Sequence, residues 1–277
     1  MKNLKLSLLV LFVAISLESN AQCSANCCSI DSNTEFAELA KDKSFCRSHK
    51  EPKVYKYSGV GKWIDYAVKN QPSGRAFEIK SNEKKDWVFV IHEWWGLNDY
   101  IQREAEKLAK ELNVNVLCLD LYDGKVTSSR DSAGAFMQAA KKPRIESLIN
   151  SALAYVGKEA SISTIGWCFG GGWSLQTALM AGDQAKACVI YYGMPEKDIE
   201  RLKTLNCPVL GLWAEQDAWI TPKVVEDFNA NLKSLGKSVQ SFSYPEKHAF
   251  ANPSNPQYAE EAAGDAWKKA VEFLKKN

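Results

Sequence analysis

The chain has 277 residues, 45% hydrophobic and 25% charged, a composition that describes a soluble globular protein with one sizeable core. A formal net charge of +2 with well-mixed Lys, Arg, Asp and Glu leaves no basic face or charge block for nucleic acid or an anionic membrane surface. Small-molecule chemistry or protein contacts remain.

Residues 1–21 are predicted to be a cleavable signal peptide. Lys2 and Lys5 precede an uncharged run from Leu6 to Leu17, and Ser19-Asn20-Ala21 fits the small-x-small cleavage pattern. The run falls short of the roughly 20 residues a bilayer span needs, and Gln22 is not the small residue that a lipoprotein site places before its cysteine. No second long apolar run follows, so the mature chain is expected to be exported, periplasmic or secreted, with no membrane span.

Export changes the reading of the eight cysteines. Cys23, Cys27, Cys28 and Cys46 crowd into residues 22–60, an amino-terminal extension, and are expected to form disulfides; adjacent Cys27 and Cys28 would not pair with each other. Zinc at these four is disfavoured because the C-x-x-C spacing is missing and only His49 lies nearby. Cys118, Cys188 and Cys207 alternate with Val, Leu and Ile and read as small buried hydrophobes.

In chain order, the extension is predicted to carry one helix, with Ser32 and Glu35 as a capping box before Phe36, Leu39 and Ala40. From residue 61 to 277 strands and helices alternate. Strands are expected at 62–68, 75–80 and 87–91, then a helix facing Ile101, Ala105, Leu108 and Leu112 inward. A strand at 114–122, helices near 130–140 and 144–156, and a strand ending at Trp167 follow. Another helix leads to a strand at 187–193, a short helix near 196–204 and a strand at 208–213. A helix with Val225, Phe228, Leu232 and Leu235 in register stops at Gly236; "SVQSFSY" and a helix through Leu274 end the chain. Apolar strands alternating with amphipathic helices define an α/β fold with a mostly parallel sheet covered on both faces, whose sites lie at the carboxyl ends of the strands.

Those ends hold a short list of reactive residues. Gly166-Trp167-Cys168-Phe169-Gly170, between a strand and a helix, has the form of a nucleophile elbow, where the amide of Phe169 would face a developing oxyanion. The glycines lack the Lys-Ser/Thr pair of a phosphate loop. Downstream come an acid, Asp217, and then a base, His248, each just past a later strand, in the order a hydrolase requires. His49 and His92 lie well upstream of the elbow. Glu93 follows the strand "WVFVI" on the loop that would complete the oxyanion hole, and is either a solvated charge or a carboxylate able to take the thiol proton.

"VIHEWWGLN", "LDLYDGK", "IGWCFGGG", "WAEQDAWITP" and "HAFANP" stand in the order and spacing of the dienelactone hydrolase family, which residues 60–277 resemble. The resemblance implies an α/β-hydrolase without metal or organic cofactor, with carboxymethylenebutenolidase-like activity on a small ester or lactone. It implies Cys168 as nucleophile, Asp217 and His248 as its partners, Glu93 as activating carboxylate, and backbone amides of Phe169 and Trp94 as oxyanion hole. Arg130 resembles a family arginine that binds a substrate carboxylate, whereas Asn252 stands where members acting on dienelactone carry a second arginine. Trp94, Trp95, Trp167, Phe169 and Trp219, next to these residues, are candidates for an apolar acyl pocket. The rival expectation is a thiol-redox or binding protein on a hydrolase scaffold.

Overall fold

The computed structural model describes residues 31–81 and 85–277. The expected signal segment and Cys23, Cys27 and Cys28 lie outside the described residues. The extension forms two short helices, α1 (Ser32–Glu38) and α2 (Lys43–Ser48), around a 3-10 turn at Leu39–Lys41, instead of the one helix predicted. The cap also differs. Asp31, not Ser32, accepts the amides of Asn33 and Thr34, both at 3.2 Å, because its carboxylate stands one residue earlier in extended backbone. Ser32 Oγ instead donates to Glu196 at 3.4 Å, and Glu35 pairs with Lys197 at 2.7 Å. Asp42 breaks the run by capping α2 through the amide of Ser44. Cys46 forms no disulfide among the described residues, and its Sγ lies 3.2 Å from Ala40 O.

The described strands are β1 (Lys62–Tyr66), β2 (Gly74–Ile79), β3 (Asp86–Ile91), β4 (Asn115–Leu119), β5 (Ser161–Trp167), β6 (Ala185–Tyr191), β7 (Val209–Ala214) and β8 (Val239–Tyr244). They form one sheet in the order β1-β2-β4-β3-β5-β6-β7-β8. β1 and β2 enter antiparallel; every pairing from β4 to β8 is parallel. The central strands are buried along their whole length, which is why they read as continuous apolar runs. β4 is shorter than predicted because Asp120 turns the chain, accepting the amides of Tyr122 at 3.0 Å and Gly124 at 2.5 Å.

Helices α3 (Asp99–Leu112), α4 (Arg130–Ala139), α5 (Lys142–Val156), α6 (Phe169–Ala181), α7 (Ile199–Lys203), α8 (Pro222–Ser234) and α9 (Glu260–Lys276) cover the sheet. The apolar stripe of α3 buries Ile101, Ala105 and Leu108, as its 3.6-residue period requires. α7 starts later than predicted: the Glu196 carboxylate takes the amides of Lys197 and Asp198, and Asp198 then caps the helix. Cys118, Cys188 and Cys207 are buried filler, and burial raises the pKa of each thiol.

The extension packs on the carboxyl-end face of this sheet through α1 and α2. Phe36 and Phe45 are fully buried and meet edge-on, their centroids 5.6 Å apart; burial of such a ring contributes about 1.5–3 kcal/mol. α1 lies so near α6 that a Cβ on Gly172 would fall 2.3 Å from Asn33 Oδ1. On Gly170 it would fall 2.2 Å from the backbone oxygen of Ile91. These two glycines therefore predict different failures. Gly170→Ala forces the elbow from the sheet and is expected to cost about 3 kcal/mol or more in denaturant unfolding. Gly172→Ala meets mainly a movable side chain, so limited proteolysis should show faster cleavage within residues 31–60 while the core melts nearly as wild type.

Candidate active site

Cys168 sits between β5 and α6 with φ 57° and ψ −119°, the strained turn that lifts a nucleophile out of the sheet. Its amide donates to Tyr191 O at 3.0 Å, and its own carbonyl accepts Gly171 N at 2.9 Å, so both neighbouring elements hold the turn. The Phe169 amide faces the sulfur, at the positive end of α6. Burial keeps the Cys168 thiol above its usual pKa, which makes a neutral thiol the resting form.

The structure brings Asp217 and His248 together from the ends of β7 and β8. His248 Nδ1 lies 2.6 Å from Asp217 Oδ2, and Asp217 Oδ1 accepts the amides of Trp219 at 3.0 Å and Ile220 at 3.1 Å. Burial opposes charge on both groups; their mutual attraction overcomes it, lowering Asp217 and raising His248 well above its ordinary value. The ring is thereby fixed with Nε2 directed toward Cys168, and that nitrogen is buried without a hydrogen-bond partner among the described residues.

Glu93 is buried at the end of β3. Burial raises its pKa to about 7, against the pull of His248, Asn252 and Tyr192. Asn252 Nδ2 donates to one carboxylate oxygen and Tyr192 Oη donates to the other at 3.3 Å. The loop is shaped by His92, whose Nδ1 donates to Glu93 O at 2.6 Å and whose Nε2 accepts Leu121 N at 3.1 Å. Trp94 and Trp95 on this loop are buried and meet at 5.0 Å, and Trp219 packs edge-on against Phe45 at 5.0 Å.

Two expected pocket residues differ in setting. Asn252 is buried, and its Oδ1 accepts Ser254 N at 2.8 Å and Ser254 Oγ at 2.6 Å while its amide holds Glu93. Arg130 stands in a surface groove with Lys43, Arg47 and Glu51, its Nε 3.9 Å from Glu51. A separate cavity of about 140 Å³ reaches Glu93 and Asn252 between α3 and α9, lined by Trp167, Tyr191, Tyr258 and Trp267. Cys168 and His248 lie outside that lining.

Two site residues escape the sequence reading. Tyr192 follows β6, so the strand-end rule that selects Glu93 also points to it. His49 carries no such signal, being 119 residues from Cys168 in the chain, yet its Nε2 lies 3.8 Å from the Cys168 sulfur. Its Nδ1 meets Phe45 O at 2.9 Å, and its ring packs on Trp94 at 4.1 Å and His248 at 5.3 Å. Burial, then the neighbouring His248, push its pKa down to about 3, so the ring is neutral.

A strained elbow cysteine followed in the chain by an aspartate and a histidine, at the ends of a parallel sheet, has the arrangement of an α/β-hydrolase. The sequence profile of the dienelactone hydrolase family matches residues 74–277, and the chain belongs to that family. Carboxymethylenebutenolidase from Pseudomonas sp. is 26% identical over 219 residues, covering 73% of this chain and 90% of that protein. Among solved structures, a dienelactone hydrolase-like promiscuous phosphotriesterase from metagenomic libraries superposes with a TM-score of 0.68 at 18% identity, covering 78% of this chain and 98% of the other. Dienelactone hydrolase from Anabaena variabilis gives a TM-score of 0.56 at 15% identity over 82% and 98% of the two chains. The structural likenesses carry the fold.

The buried carboxylate sets a pH dependence. If Glu93 takes the thiol proton it can do so only when ionised, and acylation should then rise as pH increases through about 7 and fall on the acid side. Single-turnover kinetics across that range should show this limb in wild type. In Glu93→Gln the limb should vanish and the rate drop by about 10²-fold; an unchanged profile assigns Glu93 to structure.

Proposed function

We propose that the chain is an exported hydrolase that opens small esters or lactones through a thioester on Cys168. One observation carries this reading: a strained elbow cysteine faces a His248–Asp217 pair at 2.6 Å and stands beside a buried carboxylate poised near neutrality. The name of the Pseudomonas relative supports a lactone as one substrate class. Glu93 takes the thiol proton, and the thiolate attacks the carbonyl carbon. The oxyanion collects on the amides of Phe169 and Trp94. Protonated His248 gives its proton to the leaving alkoxide, then, neutral, takes one from water, whose hydroxide breaks the thioester. The departing thiolate recovers its proton from Glu93, so the cycle consumes one water.

Intact-mass analysis of protein recovered from the exported fraction tests the processing and the intermediate together. It should begin at Gln22, weigh two hydrogens less for at least one disulfide among Cys23, Cys27, Cys28 and Cys46, and gain an acyl group with a slow ester. The adduct should be absent, with turnover lost, in Cys168→Ala. Four free thiols in that segment, or an adduct that survives Cys168→Ala, would overturn the corresponding step.

The acyl group need not be anionic. Asn252 offers a neutral amide already committed to Glu93, and Arg130 is partly exposed and shared with Glu51. A lone exposed charge contact contributes only about a kcal/mol, so kcat/KM for a neutral ester should lie within about tenfold of its carboxylate-bearing analogue. A thousandfold preference for the anion, unchanged in Asn252→Arg, would place the carboxylate on another basic residue.

A further inference from the structure

The extension delivers a second imidazole to the nucleophile. A ring nitrogen of His49, Cys168 Sγ and a ring nitrogen of His248 lie within 4.8 Å of one another, with His49 Nε2 3.8 Å from the sulfur, and all three side chains are buried. Each ring is oriented by its other nitrogen: His49 Nδ1 by Phe45 O at 2.9 Å, His248 Nδ1 by Asp217 at 2.6 Å. With Nδ1–H donating, neutral His49 presents an Nε2 lone pair to the sulfur, and His248 does the same once its Nε2 proton has left. The hydrolytic mechanism uses His248 and gives no role to His49.

Imidazoles held through Nδ1 by a carboxylate or carbonyl, facing a thiolate, are the donor set of a metal site. Zinc binds imidazole nitrogen at about 2.0–2.1 Å and thiolate sulfur at about 2.3 Å, which separates two such donors around one ion by about 3.5–3.8 Å. The His49–Cys168 separation is 3.8 Å. Sulfur and imidazole together select thiophilic d10 ions over Mg(II) or Ca(II).

We propose that His49, Cys168 and His248 form a three-residue site for a thiophilic d10 cation, Zn(II) or Cu(I), that occupies the nucleophile and holds the enzyme inactive. The ion forms bonds to Sγ and both Nε2 atoms, and the thiol proton and the Nε2 proton of His248 leave to solvent with no change in oxidation state. While bound, it ties the extension to the catalytic turn; removal by a chelator frees the sulfur. The inhibitory role rests on the hydrolase reading, but ion binding does not, so binding is measured without turnover.

The test uses the mature chain carrying Cys23→Ser, Cys27→Ser, Cys28→Ser and Cys46→Ser together, which removes competing thiols. After EDTA treatment, Zn(II) and Cu(I) are titrated separately against chromogenic chelators, and Co(II) is added to read thiolate-to-metal charge transfer in the near-ultraviolet. The expected result is one equivalent of Zn(II) or Cu(I) per chain and a charge-transfer band. Affinity should fall by about 100-fold in His49→Gln and again in Cys168→Ser, each confirmed folded by circular dichroism. In wild type the bound ion should suppress ester hydrolysis and a chelator should restore it. Less than one equivalent of both ions, or an affinity unchanged in His49→Gln and Cys168→Ser, would overturn the site. Full binding without inhibition would overturn its regulatory role alone.

Discussion

Everything at this site depends on how closely the backbone of the elbow approaches its neighbours. A Cβ on Gly166 would sit 2.0 Å from Gly170 O, and one on Gly171 would sit 2.7 Å from Tyr191 O. That proximity lets the Cys168 turn be held from both β5 and β6 in a conformation a non-glycine residue rarely adopts. The strain is balanced by contacts on every side, so the sulfur keeps one position relative to the ends of four adjacent strands. Because those strands run parallel, their ends bring Cys168, Tyr192, Asp217 and His248 to one edge.

Polar groups at that edge are buried, and those around Glu93 are satisfied in relays. Asn252, on the loop after His248, donates one hydrogen bond to Glu93 while accepting two from Ser254, and Tyr192 closes the other side of the carboxylate. Such a chain holds Glu93 near the boundary between its two protonation states, where a small change in surroundings shifts the balance. Lost bonds would leave a buried carboxylate without donors, a costly state. His92, buried and neutral, does for the preceding loop what Asn252 does for Glu93.

Periodicity was enough to place the sheet, since apolar runs such as "WVFVI" are fixed by burial on both faces, and the order of elbow, acid and base followed from strand ends. Boundaries moved where side chains intercepted the backbone: Asp120 cut β4 short, Glu196 and Asp198 delayed α7, and Asp31 displaced Ser32 as cap. What the pattern could not contain was His49. Its neighbours in the chain are polar, and its role arises from α2 docking on a surface made by residues more than a hundred positions later. The setting of Asn252 was equally hidden, because its partner Glu93 belongs to another strand end.

The burial of Phe45 against Trp94 and Trp219, with Phe36 edge-on to Phe45, makes the division near residue 60 a boundary of topology rather than of energy. Among the described residues strand pairing begins at Lys62, so residues 31–61 contribute nothing to the sheet. Yet the catalytic edge would present two tryptophans and a strained turn to water without that segment. Sterically the seam is coupled: a larger side chain at Gly172 requires Asn33 to give way, although 139 positions separate them in the chain. The extension and the elbow constrain each other's substitutions as tightly as two halves of one core.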